Sequence, residues 1–494
     1  MRGERACVAQ AAPGVRRRAQ PHHAHAQRHS GASRLSGRRP SSAPSFPPPV
    51  ELPYRPDSAE LFEAWADRPW AMFLDSGFPG SNSGRYDVIV ADPVATLVTR
   101  GALTEIRSAD GVERSGDDPL TLLQRTLARH APDSFPSSES PFNGGAVGYF
   151  AYDLGRRFER MSQTAIDVEQ LPDMAVGIYS AVVIVDHGEQ RSFYLGREPT
   201  AAEPFLHALP RRIRPALRAT ERLHTSLDSD AYAAAFARVM EYIRAGDCYQ
   251  VNLARRFSAA VRGDPWAGYR ALRSLGPVPY GAYLNTPDVQ VLSFSPERFL
   301  NVHGDRVETR PIKGTRRRHP DVDADRRLAQ ELLVSAKDRA ENVMIVDLLR
   351  NDLGKVCQVG SVSVEALCEL ESFASVHHLV STVSGRLAPG VHALDVLRAC
   401  VPGGSITGAP KVRAMQIIEE IERERRGVYC GAIGYVGFDG AMDVNIAIRT
   451  LTHRQGQIRF WAGGGIVADS NVEAEFQETL AKAAMPIALL TGDP

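Results

Sequence analysis

Cysteine is scarce in this chain. The six residues (Cys7, Cys248, Cys357, Cys368, Cys400 and Cys430) are scattered over 494 positions and form no C-x-x-C pair. Such spacing excludes a disulfide framework and a zinc ribbon, and it suits a reducing cytoplasm. Long apolar runs are missing too. None approaches the roughly 18 residues a membrane helix needs, so no membrane role is expected. Net charge is absent, with 58 basic and 58 acidic residues. That balance hides an asymmetry: residues 1–50 hold nine arginines and one acid, Glu4, leaving 49 basic against 57 acidic residues in the rest. The body therefore has no electrostatic footprint for nucleic acid. The glycine-rich stretches lack the Lys-Ser/Thr pair of a P-loop and the βαβ setting of a dinucleotide fingerprint, which argues against a nucleotide ligand. What is present is ordinary for a soluble globular enzyme: 43% hydrophobic and 23% charged residues, in a chain long enough to bury a large core.

Residues 1–50 are rich in Arg, His, Ala, Ser and Pro without hydrophobic periodicity, and are expected to form a disordered basic extension. An Arg- and Ser-rich leader also fits a transit peptide, and a start codon assigned too far upstream gives the same composition. His22, His23, His25 and His29 receive no function. From 52 to 196, short β-rich runs separated by turn residues predict a β-rich subdomain, with strands in WAMFLDS (70–76), YDVIVADP (86–93), GAVGYFAYD (145–153) and VGIYSAVVIVDH (176–187). Residues 197–226 read as a connector and 227–494 as a catalytic domain. There, Ser229 or Asp230 is expected to cap a helix stopping at Gly246, CYQVNLARRF (248–257) alternates like a strand, and 289–312 reads as successive strands turning at Gly304-Asp305. Residues 337–354 form an amphipathic helix, 411–425 a helix with Pro410 in its first turn, and 429–452 a hairpin turning at Asp439-Gly440. A strand over 458–463, a glycine loop and a last helix from Val472 complete the chain. Without a regular βαβ rhythm, the class is α+β.

Several constellations carry chemistry. Asp338 and Glu341 share a helix face with Ile345 and Leu348, and Glu475 and Glu478 repeat the spacing on the final helix. Two carboxylate pairs can hold a hard cation, magnesium rather than zinc; each pair alone also fits a solvated helix face. PGGSITGAPK (402–411) and AGGGIVADS (462–470) are expected to offer free backbone N–H groups at helix N-termini, a setting for an anion. Tyr429 and Arg449 add a phenol and a cation, although Arg449 also fits a surface residue. Glu297 in SPERF (295–299) is placed for acid–base work, and His378 is either a site residue or a structural one. Lys313 lies in TRPIKGT (309–315). Local sequence fits a solvated strand-end lysine, and it also fits an amine fixed and desolvated for nucleophilic attack.

GDCYQVNLARRF, SPERF, TRPIKGT, DRAENVMIVDLLRNDLG, VHHLVSTVSG, PGGSITGAPK, YCGAIGYVGFDGAMDVNIAIRT and GGGIVADS follow the order and spacing of chorismate-utilising enzymes. Over about residues 55–494 the chain resembles that family, its aminodeoxychorismate synthase branch most of all. The resemblance implies a sandwich of two orthogonal antiparallel sheets with interleaved halves, as in anthranilate synthase large subunits. It also implies Mg²⁺ near Glu341, Glu475 and Glu478 on the ring carboxylate of chorismate. Tyr429, Arg449 and the backbone of Gly463, Gly464 and Gly465 are implied for the enolpyruvyl carboxylate, with Gln250, Ser405 and Thr407 as further substrate contacts. Lys313 is then a nucleophile toward ring C2, Glu297 the acid for the departing C4 hydroxyl and His378 a supporting residue. Burial and Arg310 are expected to lower the Lys313 pKa. Isochorismate- and salicylate-forming relatives carry a water-activating lysine where this chain has Gln250, so ammonia is the expected nucleophile. No glutaminase nucleophile turn is present, which implies a separate glutaminase subunit. No fused lyase follows Glu478, so the expected product is 4-amino-4-deoxychorismate rather than p-aminobenzoate. Asp75-Ser76 fall where some relatives bind tryptophan. An anthranilate-forming subunit and a catalytically silent paralogue are the alternatives.

Overall fold

The computed structural model describes residues 47–81, 84–133, 140–207, 212–373 and 376–492. Cys7 and the histidines of the leader fall outside them, as does most of the 1–50 extension. Order starts slightly earlier than Leu52, because Val50 already pairs with Tyr194.

Two large antiparallel sheets with flanking helices make the fold α+β. Each sheet takes strands from both halves of the chain. In the first, Ala71–Asp75 lies beside Tyr280–Asn285, and the order runs on through Gln290–Ser295, Thr450–Arg454 and Gln457–Ile466 to Gln250–Arg262. In the second, Gly145–Phe150 lies beside Ala432–Gly437, and the order runs through Met442–Ile446, Arg298–His303, Arg306–Thr309 and Val376–Arg386 to Ile312–Arg317. The apolar core between them joins Met72, Val90 and Leu284 of the first sheet to Val147, Tyr149 and Ile433 of the second. Helices cover the outer faces: Pro119–His130 and Ala393–Cys400 pack on one sheet, Pro265–Leu275 and Val472–Thr491 on the other. Strands covered on both faces explain the unbroken apolar runs, such as the fully buried Met174–Tyr179.

Several boundaries differ from the sequence reading. Asp228 caps the helix Ser229–Arg244, accepting from the Ala231 amide, in place of Ser229 or Asp230. The helix after Pro410 ends at Glu422, where Arg423 turns left-handed, and Pro410 is its cap residue rather than part of its first turn. The hairpin is only Ala432–Gly437 with Met442–Ile446; at Arg449, also left-handed, the chain leaves for the other sheet, and Thr450–Arg454 pairs there. The helix Pro119–His130 went unread because its apolar positions sit among β-rich neighbours, although Asp118 and Pro119 mark its start.

Candidate functional site

The carboxylate helix, Ala336–Gly354, begins at Ser335, whose hydroxyl accepts from the Asp338 amide. Its buried stripe of Asn342, Ile345, Val346 and Leu349 turns Glu341 toward the strand that carries Lys313. Leu348 packs directly on Gly404, where a Cβ would come within 2.3 Å of it, so the loop before Ser405 approaches only as glycine. Asp338 does not join the site; it pairs with Arg316 at 3.3 Å.

Lys313 lies at a bulge. Ile312–Arg317 pairs with Val376–Arg386, and the register shifts between Lys313 and Thr315 at Gly314, whose φ is +78°. A side chain at Gly314 would meet Leu332 at 2.8 Å and Asp338 at 2.9 Å. The bulge aims the Lys313 amine at the 402–410 loop, where it donates to the Ser405 carbonyl at 3.3 Å. Dense surroundings lower the amine's pKa, against the opposing pull of Glu341 and Glu297. Arg310 is not among the largest causes of this shift, and its guanidinium is paired with Glu371. The positive neighbour that does act is Lys482.

Glu297 is the complementary group. It is 6% exposed, and burial raises its pKa against the lowering effects of Lys313, the Ser405 hydroxyl and the Ile312 amide. Ser295 fixes its backbone: the Ser295 hydroxyl accepts from the Glu297 amide and donates to the Ile446 carbonyl at 2.6 Å. Desolvation thus pushes both members toward the uncharged state, against their mutual attraction. Arg449 is desolvated and faces Glu297, with no ion-pair partner among the described residues. His378 pairs with Thr315 across the strands, its Nδ1 2.9 Å from the Thr315 hydroxyl. Burial and Arg449 push it down to about 4, so it is a neutral imidazole near pH 7.

The glycine run corrects the sequence reading. Gly463, Gly464 and Gly465 form no loop; they lie inside the strand Gln457–Ile466 and pair with Ala254, Leu253 and Asn252. Their value is missing side chains rather than a helix N-terminus. A Cβ on Gly464 would sit 3.0 Å from a Glu475 oxygen, and one on Gly465 would sit 2.9 Å from the Gln250 amide carbon. Gln250 is fully buried, and neither its amide oxygen nor its nitrogen has a partner. Thr407 is fully buried and its hydroxyl donates to the Gly403 carbonyl. Tyr429 is likewise buried, stacked on Trp461 with ring centres 5.9 Å apart.

Glu341, Glu475 and Glu478 come together with Lys313 in one electrostatic cluster, but not as a ready ligand set. Among the described residues no three His, Cys, Asp or Glu side chains converge as a metal site. Two lysines missed by the sequence reading lie among the acids. Lys337 is 3.9 Å from Glu341 and 3.7 Å from Glu475, while Lys482 holds Glu478 at 2.6 Å and donates to the Gly463 carbonyl. Both follow an i,i+4 spacing from a glutamate, a signal that was there to read. The donor set is all carboxylate oxygen, and the Lys337 ammonium already stands as a positive charge between two of the acids; in charge and donor type the site fits a hard divalent cation.

Near Asp75 a cavity of about 310 Å³ opens between the sheets, lined among others by Ser76, Tyr280, Arg298 and Tyr435. The Asp75 carboxylate is already engaged by Tyr269, Arg273 and the Gly77 amide. The described cysteines are all free, and no helix among the described residues is long and apolar enough to cross a membrane.

Comparison with known proteins matches residues 72–488 to the family described as chorismate binding enzyme. Aminodeoxychorismate synthase component 1 of Klebsiella aerogenes is 48% identical over 438 residues, covering 88% of this chain and 97% of that protein. Anthranilate synthase component 1 of Thermus thermophilus is 43% identical over 404 residues, covering 78% of this chain and 87% of that protein. Among solved structures, anthranilate synthase component I of Streptococcus pneumoniae superposes with a TM-score of 0.73 at 33% identity, covering 82% of this chain and 92% of that one.

Proposed function

This chain belongs to the chorismate-binding enzyme family, and on that premise we propose that it adds ammonia to chorismate, giving 4-amino-4-deoxychorismate on the way to p-aminobenzoate and folate. It is a synthase subunit of the cytoplasm, an amino-group transferase that receives ammonia from a separate glutaminase subunit. The observation that carries this reading is the Lys313–Glu297 pair: a desolvated amine and a desolvated carboxyl that both contact Ser405.

The chemistry divides one difficult displacement into two. The Lys313 lone pair bonds to ring C2, the two ring double bonds each shift one position, and the C4–O bond breaks. Glu297 gives its proton to the departing hydroxyl, which leaves as water. Ammonia then bonds to C4, the double bonds return, and the C2–N bond breaks. The new C4 ammonium gives up a proton, Glu297 is reprotonated, and Lys313 leaves as the neutral amine. Arg449, which has no ion-pair partner among the described residues, pairs with the enolpyruvyl carboxylate. Neutral His378 orients Thr315 and the bulge rather than supplying a charge. Gly463, Gly464 and Gly465 keep the floor of the site open, and Gln250 offers the incoming nitrogen nucleophile an amide where a base would activate water. Glu341, Glu475 and Glu478 would hold magnesium, which would supply positive charge for the ring carboxylate. The cavity beside Ser76 is the proposed place for a tryptophan molecule.

Incubation with chorismate, Mg²⁺ and ammonium tests the reading. A product that yields p-aminobenzoate only after an aminodeoxychorismate lyase is added is the expected result. Fluorescent anthranilate formed without the lyase would assign the chain to the other amination, and no turnover would favour a silent paralogue.

A further inference from the structure

We infer that Lys337 competes with the divalent cation for the Glu341 and Glu475 carboxylates, so that this lysine sets the affinity of the site for metal. The inference rests on the proposed metal role of the three glutamates. Lys337 and Glu341 lie one turn apart on the carboxylate helix, whereas Glu475 comes from the first turn of the helix Val472–Thr491. One ammonium thus bridges the two helices, 3.9 Å from one acid and 3.7 Å from the other. The Glu475 side chain is only 4% exposed, and its remaining neighbour at Oε1 is the Ser470 hydroxyl at 2.7 Å. It therefore needs a positive partner, which Lys337 supplies.

A divalent cation and an ammonium cannot share that space. Any ion drawing the two carboxylates together must displace a positive charge already held there. Lys337 is built to leave: its side chain is 51% exposed and its four-carbon stem can carry the ammonium into water. Lys482 differs, being anchored by both Glu478 and the Gly463 carbonyl. Metal binding is then an exchange of cations between two helices rather than the filling of a bare acidic site. Lys337 offsets part of the acids' charge, and helps hold the two helices together, whenever metal is absent.

Calorimetric titration with Mg²⁺, and with Mn²⁺ followed by the electron paramagnetic resonance of the free ion, tests this on the full chain. Lys337→Gln should bind both ions about tenfold more tightly than the parent, since two partly exposed ion pairs no longer compete. Lys337→Arg, which keeps the charge, should retain the weaker binding. In chelator, Lys337→Gln should melt below the parent, and saturating Mg²⁺ should raise its Tm more than it raises the parent's. Unchanged or weaker metal binding by Lys337→Gln overturns the competition. Absence of binding by either protein overturns it together with the metal assignment. The chorismate product assay reports separately on the proposed reaction.

Discussion

Replacing Glu297 by glutamine separates the chemistry of the site from its stability. The carboxyl accepts from the Ser405 hydroxyl and the Ile312 amide, and at 6% exposure no bulk water can stand in for its proton. The amide keeps the shape but has no proton to give the departing hydroxyl. Loss of a positioned general acid reduces turnover by about 10²–10⁴-fold, or roughly 3–5 kcal/mol of barrier. The upper part of that range is expected, because Glu341 and Glu478 are already paired with lysines of their own helices. The effect should fall on kcat, with KM for chorismate little changed. Stability should move differently. Glutamine oxygen retains one of the two accepted bonds, and losing the other costs about 1 kcal/mol. Burial holds the Glu297 pKa above its unfolded value, so its favourable contribution is complete below the unfolded carboxylate pKa and is lost as pH rises through the raised folded one. The stability of Glu297→Gln relative to the parent should therefore improve across that window. Steady-state assay of 4-amino-4-deoxychorismate with ammonium, together with urea unfolding at several pH values, measures both. A kcat within threefold of the parent would refute the acid role.

Three further outcomes are expected. Lys313→Ala should show no ammonia-dependent turnover, and the parent incubated with chorismate but no ammonia should carry a covalent adduct on Lys313 by peptide mass analysis; full activity of the alanine variant excludes an essential nucleophile. His378, depressed from 6.5 to about 4, contributes stability that is present above its unfolded pKa and lost as pH falls through the folded one. That loss amounts to about 3 kcal/mol, and His378→Gln should flatten it in unfolding measured between pH 7 and 4. Gly464→Ala places a methyl 3.0 Å from Glu475 and 3.5 Å from Glu478. It should weaken Mn²⁺ binding by about tenfold while leaving the far-ultraviolet circular dichroism unchanged; undiminished binding would show that these acids do not hold the metal.

Much of the fold was legible from local signals. Strand runs at 70–76, 86–93 and 289–312, the helix ending at Gly354 and the last helix from Val472 all fall where period and capping place them. Failures came where distant contacts overrode local cues. The Gly463–Gly465 run reads as a loop because glycine is poor in strands, yet the partner strand Gln250–Arg262 and the need for bare backbone beside Glu475 and Gln250 keep it extended. The segment 429–452 reads as one hairpin because nothing local announces that its second half pairs in the other sheet.

The sequence by itself determined the chemical inventory: a lysine, an acid, two carboxylate pairs and glycine stretches, in an order that identifies the family. Residue type and spacing are local properties, and they survive without knowledge of what packs against them. Only the tertiary structure decided protonation and partnership. Burial is the largest cause depressing Lys313, the Thr407 hydroxyl is spent on the Gly403 carbonyl, and Lys337 sits between the acids of two helices. Those outcomes depend on desolvation and on distances between packed segments, which the order of residues along a chain does not contain.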